Sequence, residues 1–271
     1  MKHLSKAVRL SALTVIVVIV AFPVYVTVTT ALLPQGDVVA GRLIPLPTHL
    51  TLDNVREALR SAPLVHQYGM SVAVTAVQSA AQLVTAALAA YAFTFPHWRG
   101  RGVAFALVLA TLAIPGESLV IPNYELATGL GLRDTLAGVV VPYLAAGYAV
   151  FLLRQAFIGL PREVWEAARL DGCGHLRTLL YVVLPMARPQ VVTAALWCAL
   201  SAWNGYFWPL LITDSPQRRT IQVGLAQLAV EQTTRPAVIY AGTLLVLLPT
   251  LLLVLFGQRY LVNGLAGRVR A

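Results

Sequence analysis

Charge is what this sequence has least of. Charged side chains make up 11% of the 271 residues, less than half of the roughly 25% found in soluble globular domains, so they are too few to cover a water-facing surface. Lysine is nearly missing. Lys2 and Lys6 are the only two, and both precede the first long apolar block, so no Gly-Lys-Ser/Thr phosphate loop can be written anywhere in the chain. ATP hydrolysis through such a loop is excluded. The two cysteines, Cys173 and Cys198, form neither a disulfide framework nor a metal-ligand spacing. The five histidines, His3, His49, His66, His97 and His175, are scattered and all fall outside the apolar blocks. No metal cluster, nucleophile–base pair or carboxylate pair for a membrane-embedded enzyme can be assembled from them and the acidic residues.

What is present is apolar. Hydrophobic residues make up 58% of the chain, and its mean hydropathy is +0.73. They fall in blocks that reach the ~20 residues needed to cross a hydrocarbon core. The pattern predicts one all-α integral membrane domain over residues 1–271, with six spans near 10–33, 68–95, 103–124, 136–157, 190–212 and 238–256. The first block is too long for a cleaved signal peptide and lacks a small-residue cleavage site, so it reads as a retained span. Between the first two spans lies a polar external loop with Pro34, Pro45, Pro47 and Pro63 and one short helix near Leu52 to Arg60. His97-Trp98-Arg99-Gly100-Arg101-Gly102 is a tight basic turn, and 160–189 forms a cytoplasmic helix-turn-helix.

The net charge of +9 raises nucleic acid as a partner, but its distribution argues against one. With the amino terminus inside, the inner face holds Lys2, Lys6, Arg9, Arg99, Arg101, Arg154, Arg162, Arg169, Arg177, Arg188, Arg259, Arg268 and Arg270. The outer face holds Arg42, Arg56, Arg60, Arg133, Arg218, Arg219 and Arg235. Most acidic residues fall outside, so the positive excess lies on the cytoplasmic side, facing anionic lipid. Both termini are then cytoplasmic.

The inner segment LPREVWEAARLDGCGHLRTLLYVVLP has a clear local logic. Pro161 suits the start of a helix, and Arg162 to Leu170 are good helix formers. Asp171-Gly172 ends the helix, with Gly172 fit for a left-handed cap. A second run leads to Leu184-Pro185 and the fifth span. Such a unit would present Glu163, Glu166 and Arg169 on its exposed surface; the plain alternative is an ordinary amphipathic loop between spans. Glu166-Ala167-Ala168, Gly172, Val182, Leu184 and Pro185 resemble the signature of ABC importer permeases of the type I, MetI-like fold. The resemblance implies that the short helix docks in a cleft of an ATPase subunit. Glu166 would meet a basic group there, Gly172 would permit the turn, and Ala167 and Ala168 would allow close packing.

Ala89-Ala90-Tyr91-Ala92-Phe93 and Gln258-Arg259-Tyr260-Leu261-Val262-Asn263-Gly264-Leu265 resemble the carbohydrate and glycerol-phosphate uptake subfamily, the ending being typical of the second permease of a heterodimeric pair. Met70-Ser71 departs from the family's Asn-Ser, and Cys173 stands where alanine is common. The resemblance implies a homologous permease partner, two ATPase copies that carry the ATP and Mg, and an extracytoplasmic solute-binding protein. It also implies a bacterial inner-membrane location, with no cofactor on this chain.

Two features bear on the solute. Glu117, inside the third predicted span, is an ionisable group at membrane depth, which by default marks a pathway. The other reading is a carboxylate satisfied by N–H groups freed where Pro115 and Gly116 break the helix. Asn123 and Tyr124 lie toward the outer end of that span. In the fifth span, Trp203, Asn204, Tyr206 and Trp208 combine aromatic faces with an amide. That suits a polyol, although an interfacial aromatic belt uses the same residues. Trp-Asn-x-Tyr-x-Trp-Pro closely resembles glycerol 3-phosphate permeases and is found in oligosaccharide permeases as well, so the resemblance narrows the solute class without fixing the ligand. The expected solute is glycerol 3-phosphate or a glycerophosphodiester such as glycerophosphocholine, with a di- or oligosaccharide as the alternative. The spans offer no basic partner for an anion, so a phosphate would be met by the partner permease, the binding protein or helix dipoles. An ion-coupled carrier using Glu117 is the reading from another class, and it would ordinarily show internal repeats or several intramembrane charges.

Overall fold

The computed structural model describes residues 2–40 and 49–266, and every regular element in them is helical. In chain order these are α1 (Lys2–Leu32), α2 (Gln35–Val39), α3 (Asp53–Ser61), α4 (Leu64–Ala92), α5 (Arg101–Ala110), α6 (Val120–Gly129), α7 (Leu136–Val140) and α8 (Gly147–Ile158). They continue as α9 (Arg162–Leu170), α10 (His175–Thr178), α11 (Leu184–Met186), α12 (Arg188–Trp203), α13 (Phe207–Ile212), α14 (Ile221–Glu231) and α15 (Pro236–Ala266). Arg42, Arg268 and Arg270 of the charge tally lie outside the described residues.

Three stretches, Val8–Leu32, Leu64–Ala92 and Pro236–Leu255, are single helices long and apolar enough to cross a membrane. The run from Leu10 to Val20 is exposed on every side of α1, a surface suited to hydrocarbon and not to water. Three further apolar stretches are bent pairs: Arg101–Ala113 with Gly116–Gly129 at 96°, Leu136–Tyr143 with Gly147–Ile158 at 47°, and His175–Met186 with Arg188–Trp203 at 92°.

The first bend falls at Pro115 and Gly116 inside the predicted third span, the second lies inside the predicted fourth, and the third precedes the predicted fifth; prolines explain the first two. Ile114, the residue before Pro115, is extended at φ −86°, ψ 117°, because the proline ring disfavours the helical region there. Pro142 lies in a tight turn at Val141–Tyr143, and α4 satisfies carbonyls freed at that break. Gln82 Nε2 donates to the Tyr143 carbonyl at 2.8 Å and Thr85 Oγ1 to that of Leu144 at 3.1 Å. The predicted fifth span, 190–212, is two helices interrupted at 204–206.

The chain divides into two units. The first comprises residues up to His66 together with Ile221–Leu248. The helix predicted near 52–60 is present there as α3, fixed by buried Asn54, whose Nδ2 donates to the carbonyls of Ala31 at 2.9 Å and Leu33 at 2.7 Å. Arg235 pairs with Glu57 at 2.8 Å. Helix α14 has no counterpart in the sequence reading; it packs so closely on α15 that a Cβ on Gly242 would stand 2.7 Å from Leu228 Cδ2.

The second unit, Gln67–Thr220 with Pro249 onward, holds a core from α4, α8 and α12. Ala86, Ala90, Tyr91, Ala149, Leu153, Phe157, Ala194 and Cys198 are its buried members. Small residues on α4 let these helices approach closely, as membrane packing favours. A second cluster joins Val74, Ala127, Val139, Val140, Trp208 and Ile212.

Candidate functional site

The Glu-Ala-Ala segment folds as its sequence requires. Pro161 precedes α9 in an extended conformation (φ −58°, ψ 124°), and the helix ends in a Schellman turn. Gly172 takes φ 80°, its N–H bonds the Arg169 carbonyl at 3.1 Å, and the Cys173 N–H bonds that of Ala168 at 3.0 Å. That pair of bonds defines the motif, and a left-handed glycine is its usual centre. Arg169 Nη1 donates to the Cys173 carbonyl at 2.6 Å, closing the turn from its own side chain.

Beyond the turn, α10 runs into a π-helical stretch at Leu179–Val183 and then α11. Pro185 has no N–H, and its ring crowds the carbonyl one turn back, so a widened turn just before it relieves the clash. Leu184 is half-buried and Pro185 exposed, while Leu179 and Val183 are buried in the main core.

Helix α9 has two faces. Glu163, Glu166, Ala167, Arg169 and Asp171 are exposed, and Arg162 lies 3.6 Å from Glu166 in an i,i+4 pair. Ala168 is buried and Trp165 half-buried on the inward side. Of the two alanines, Ala168 alone is packed inside this chain, and Ala167 is open to a partner. The exposed face is therefore a short acidic and basic strip on a helix whose ends are both fixed.

The basic turn is held nearby. Gly100 takes φ 86°, Trp98 Nε1 donates to the Ala92 carbonyl at 3.1 Å, and Arg101 Nη1 donates to those of Thr94 and Pro96 at 3.1 and 3.0 Å. Arg162 reaches the His97 ring at 3.3 Å.

The solute candidates separate into two groups. Trp203 and Trp208 are buried within this chain. Trp203 meets Tyr68 edge-on at 5.4 Å, and Trp208 Nε1 donates to the Gly138 carbonyl at 3.1 Å. Their ring faces are engaged in packing, which the sequence motif could not reveal. Asn204 and Tyr206 are exposed, with Asn204 Nδ2 donating back to the Leu200 carbonyl at 2.8 Å. Glu117 is exposed in the break between α5 and α6, and Asn123 and Tyr124 on α6 are half-exposed.

Near Trp208, an acidic staple that sequence reasoning missed joins two loops. Asp134, at φ 56°, accepts the N–H groups of Asp214 and Ser215 at 3.0 and 3.1 Å and the Ser215 hydroxyl. Arg133 pairs with Asp214 at 2.7 Å. Residues from 133 to 215 are brought together by folding alone, and the one local signal is an Asp where the backbone turns left-handed.

The chain as a whole is similar to known proteins. The chain is 32% identical over 250 residues, 91% of its length and 90% of the relative's, to the arabinooligosaccharides transport system permease protein AraQ of Halalkalibacterium halodurans. It is 29% identical to the sn-glycerol-3-phosphate transport system permease protein UgpE of Brucella suis, covering 92% of both chains. Its fold matches a chain in the crystal structure of a bacterial ABC transporter involved in the import of the acidic polysaccharide alginate. That match has a TM-score of 0.83 and 24% identity and covers 95% of this chain and 96% of that one. The family pattern described as the binding-protein-dependent transport system inner membrane component spans residues 82–266. With the helical fold and the Glu166–Gly172 turn in place, this chain belongs to that family of ABC importer permeases, which are not enzymes and rely on an ATPase carried by a separate subunit.

Proposed function

We propose that this chain is the second permease of a heterodimeric ABC importer for a polyol-type solute, either glycerol 3-phosphate or a glycerophosphodiester. The observation that carries the coupling part is α9, a rigidly capped helix whose Glu163, Glu166 and Arg169 face outward. In this reading the three long helices and three bent pairs make six spans of a single domain in a bacterial inner membrane. Both termini are cytoplasmic, and the basic excess of that side meets anionic lipid. Two ATPase copies, holding ATP and Mg, bind below. A homologous permease completes the pore, and an extracytoplasmic binding protein delivers the solute. ATPase closure moves α9 and opens the pore outward, and hydrolysis resets it.

The solute class is supported by relatives whose names specify glycerol 3-phosphate and arabinooligosaccharides, and by Glu117, Asn123, Tyr124, Asn204 and Tyr206, which this chain leaves at least partly exposed. A di- or oligosaccharide is the second reading, favoured by the AraQ relative. The test is the complex co-expressed with its genomic neighbours in lipid nanodiscs. ATP hydrolysis is measured with and without loaded binding protein, for wild type and Glu166→Ala. Wild type is stimulated and the variant is not; equal stimulation of both would refute the coupling role. Glycerol 3-phosphate, glycerophosphocholine and disaccharides are then compared in the same assay.

A further inference from the structure

Helix α9 is fastened to its neighbours by a cluster of four aromatic groups, Trp165, Tyr91, Phe95 and His175. The Trp165 indole lies flat on Phe95 just past the end of α4, with centroids 5.7 Å apart and planes 14° from parallel. Its Nε1 donates to the Tyr91 hydroxyl oxygen at 2.9 Å. The same hydroxyl lies 3.1 Å from Nδ1 of His175, at the start of α10. An indole nitrogen can only donate, so the Tyr91 oxygen must accept from Trp165. Its second lone pair and its own proton both remain for His175 Nδ1, so the hydroxyl donates when the histidine proton is on Nε2 and accepts when it is on Nδ1. One hydroxyl thus ties α4, α9 and α10 together in either tautomer.

The two kinds of contact do different work. A stack fixes the plane of the indole but lets it slide and rotate within that plane. A hydrogen bond at the ring edge removes that freedom. Tyr91 and Phe95 are one helical turn apart and themselves in contact, with centroids at 5.3 Å, so both fixings issue from one strip of chain. Phe95 in turn meets Phe157, fully buried at the end of α8. Contacts thus run without a break from α9 through Trp165 and Phe95 to α4 and α8.

We infer that Tyr91 is a positioning residue that makes α9 and α4 one rigid unit, its hydroxyl bridging Trp165 and His175. The inference rests on the coupling role proposed for α9. Packing alone would be served equally by phenylalanine, so Tyr91→Phe isolates the hydroxyl.

The test uses the assembled importer in nanodiscs with Cys173→Ala and Cys198→Ala, and spin labels on exposed positions 88 on α4 and 164 on α9, neither of which belongs to the docking face. The label–label distance is measured by pulsed electron resonance without nucleotide and after trapping with ATP and vanadate, so no solute need be known. Wild type keeps one distance in both states. In Tyr91→Phe the trapped state gains a second distance, with the detached fraction rising about tenfold, the factor expected for losing one to two net hydrogen bonds. Trp165→Phe, which keeps a stacking ring and loses the donor, does the same, and the double variant is no worse than either alone.

A Tyr91→Phe distance identical to wild type in both states overturns the inference. So does a Tyr91→Phe change already complete without nucleotide, which marks a structural role, or a wild-type distance that itself shifts on trapping. Glu166→Ala in the same preparation separates the layers. If it leaves binding-protein-stimulated hydrolysis intact, the coupling role of α9 falls and this inference with it. If it abolishes stimulation while Tyr91→Phe is silent, this inference alone falls.

Discussion

Gly172 offers the sharpest test of the α9 turn, because its environment separates backbone strain from steric clash. Its φ is 80°, and a Cβ built there would meet no heavy atom within 4 Å. Replacing it with alanine therefore costs nothing in space and everything in conformation. The left-handed region costs a residue bearing Cβ about 1–2 kcal/mol, and 1.4 kcal/mol is tenfold in an equilibrium. The population of chains that end α9 at this turn should fall by about 5- to 30-fold in Gly172→Ala. Asparagine tolerates the region better, and a β-branched residue worse, so stimulated ATP hydrolysis should rank Gly above Asn, Asn above Ala, and Ala above Val. The two Schellman bonds come from backbone groups and remain available in every variant, which keeps the comparison clean. The assay is binding-protein-stimulated hydrolysis by the nanodisc complex, normalised to the amount assembled. An alanine variant equal to wild type, or asparagine below alanine, would refute the strain argument.

Gly138→Ala should destabilise the second unit by about 1–3 kcal/mol through overpacking. Its Cβ would collide with the Leu132 carbonyl oxygen and stand 3.3 Å from Ile212 Cγ1, and the displaced Gly138 carbonyl would lose the Trp208 indole. A lowered thermal midpoint is the expected result, whereas Gly69→Ala, uncrowded inside α4, leaves the midpoint equal or higher because alanine favours a helix interior by about 1 kcal/mol. The Asp134 carboxyl is held below its ordinary value. Burial pushes it up, and this is outweighed by the Ser215 hydroxyl, the N–H groups of Ser215 and Asp214, and the Arg218 charge. A depressed carboxylate stabilises the fold above its unfolded pKa of about 3.9, and the contribution is lost as pH falls from there through the folded value. The thermal midpoint of wild type should thus drop below about pH 4, whereas Asp134→Asn should start lower at neutral pH and show a shallower acid limb. Parallel acid limbs would remove Asp134 from the account.

Some of this architecture is local and could be read residue by residue. Apolar runs of membrane-spanning length mark the long helices, since hydrocarbon forces every backbone group to bond within its own segment. Glycine after Arg162–Leu170 marks the α9 cap, because only glycine adopts that turn without strain. Helix α3 was legible from the polar interval around it. The helix bends were not: proline shows where a helix can break, while whether freed carbonyls find donors depends on Gln82 and Thr85, some sixty residues away in sequence. Helix α14 escaped because its apolar run is too short to mark a span, and its packing through Leu228 against Gly242 of α15 is a tertiary contact.

The candidate solute site divides along the same line. Sequence alone determined that tryptophans, an asparagine and a tyrosine lie within one short stretch, since that is composition. Only the tertiary structure decided that Trp203 and Trp208 are packed into their own chain while Asn204 and Tyr206 remain exposed. The same holds for Tyr91, Trp165 and His175, and for Asp134 with Ser215. Each meeting joins residues that are distant in the chain, and the long-range packing of helices, which no local propensity encodes, brings them within hydrogen-bond reach.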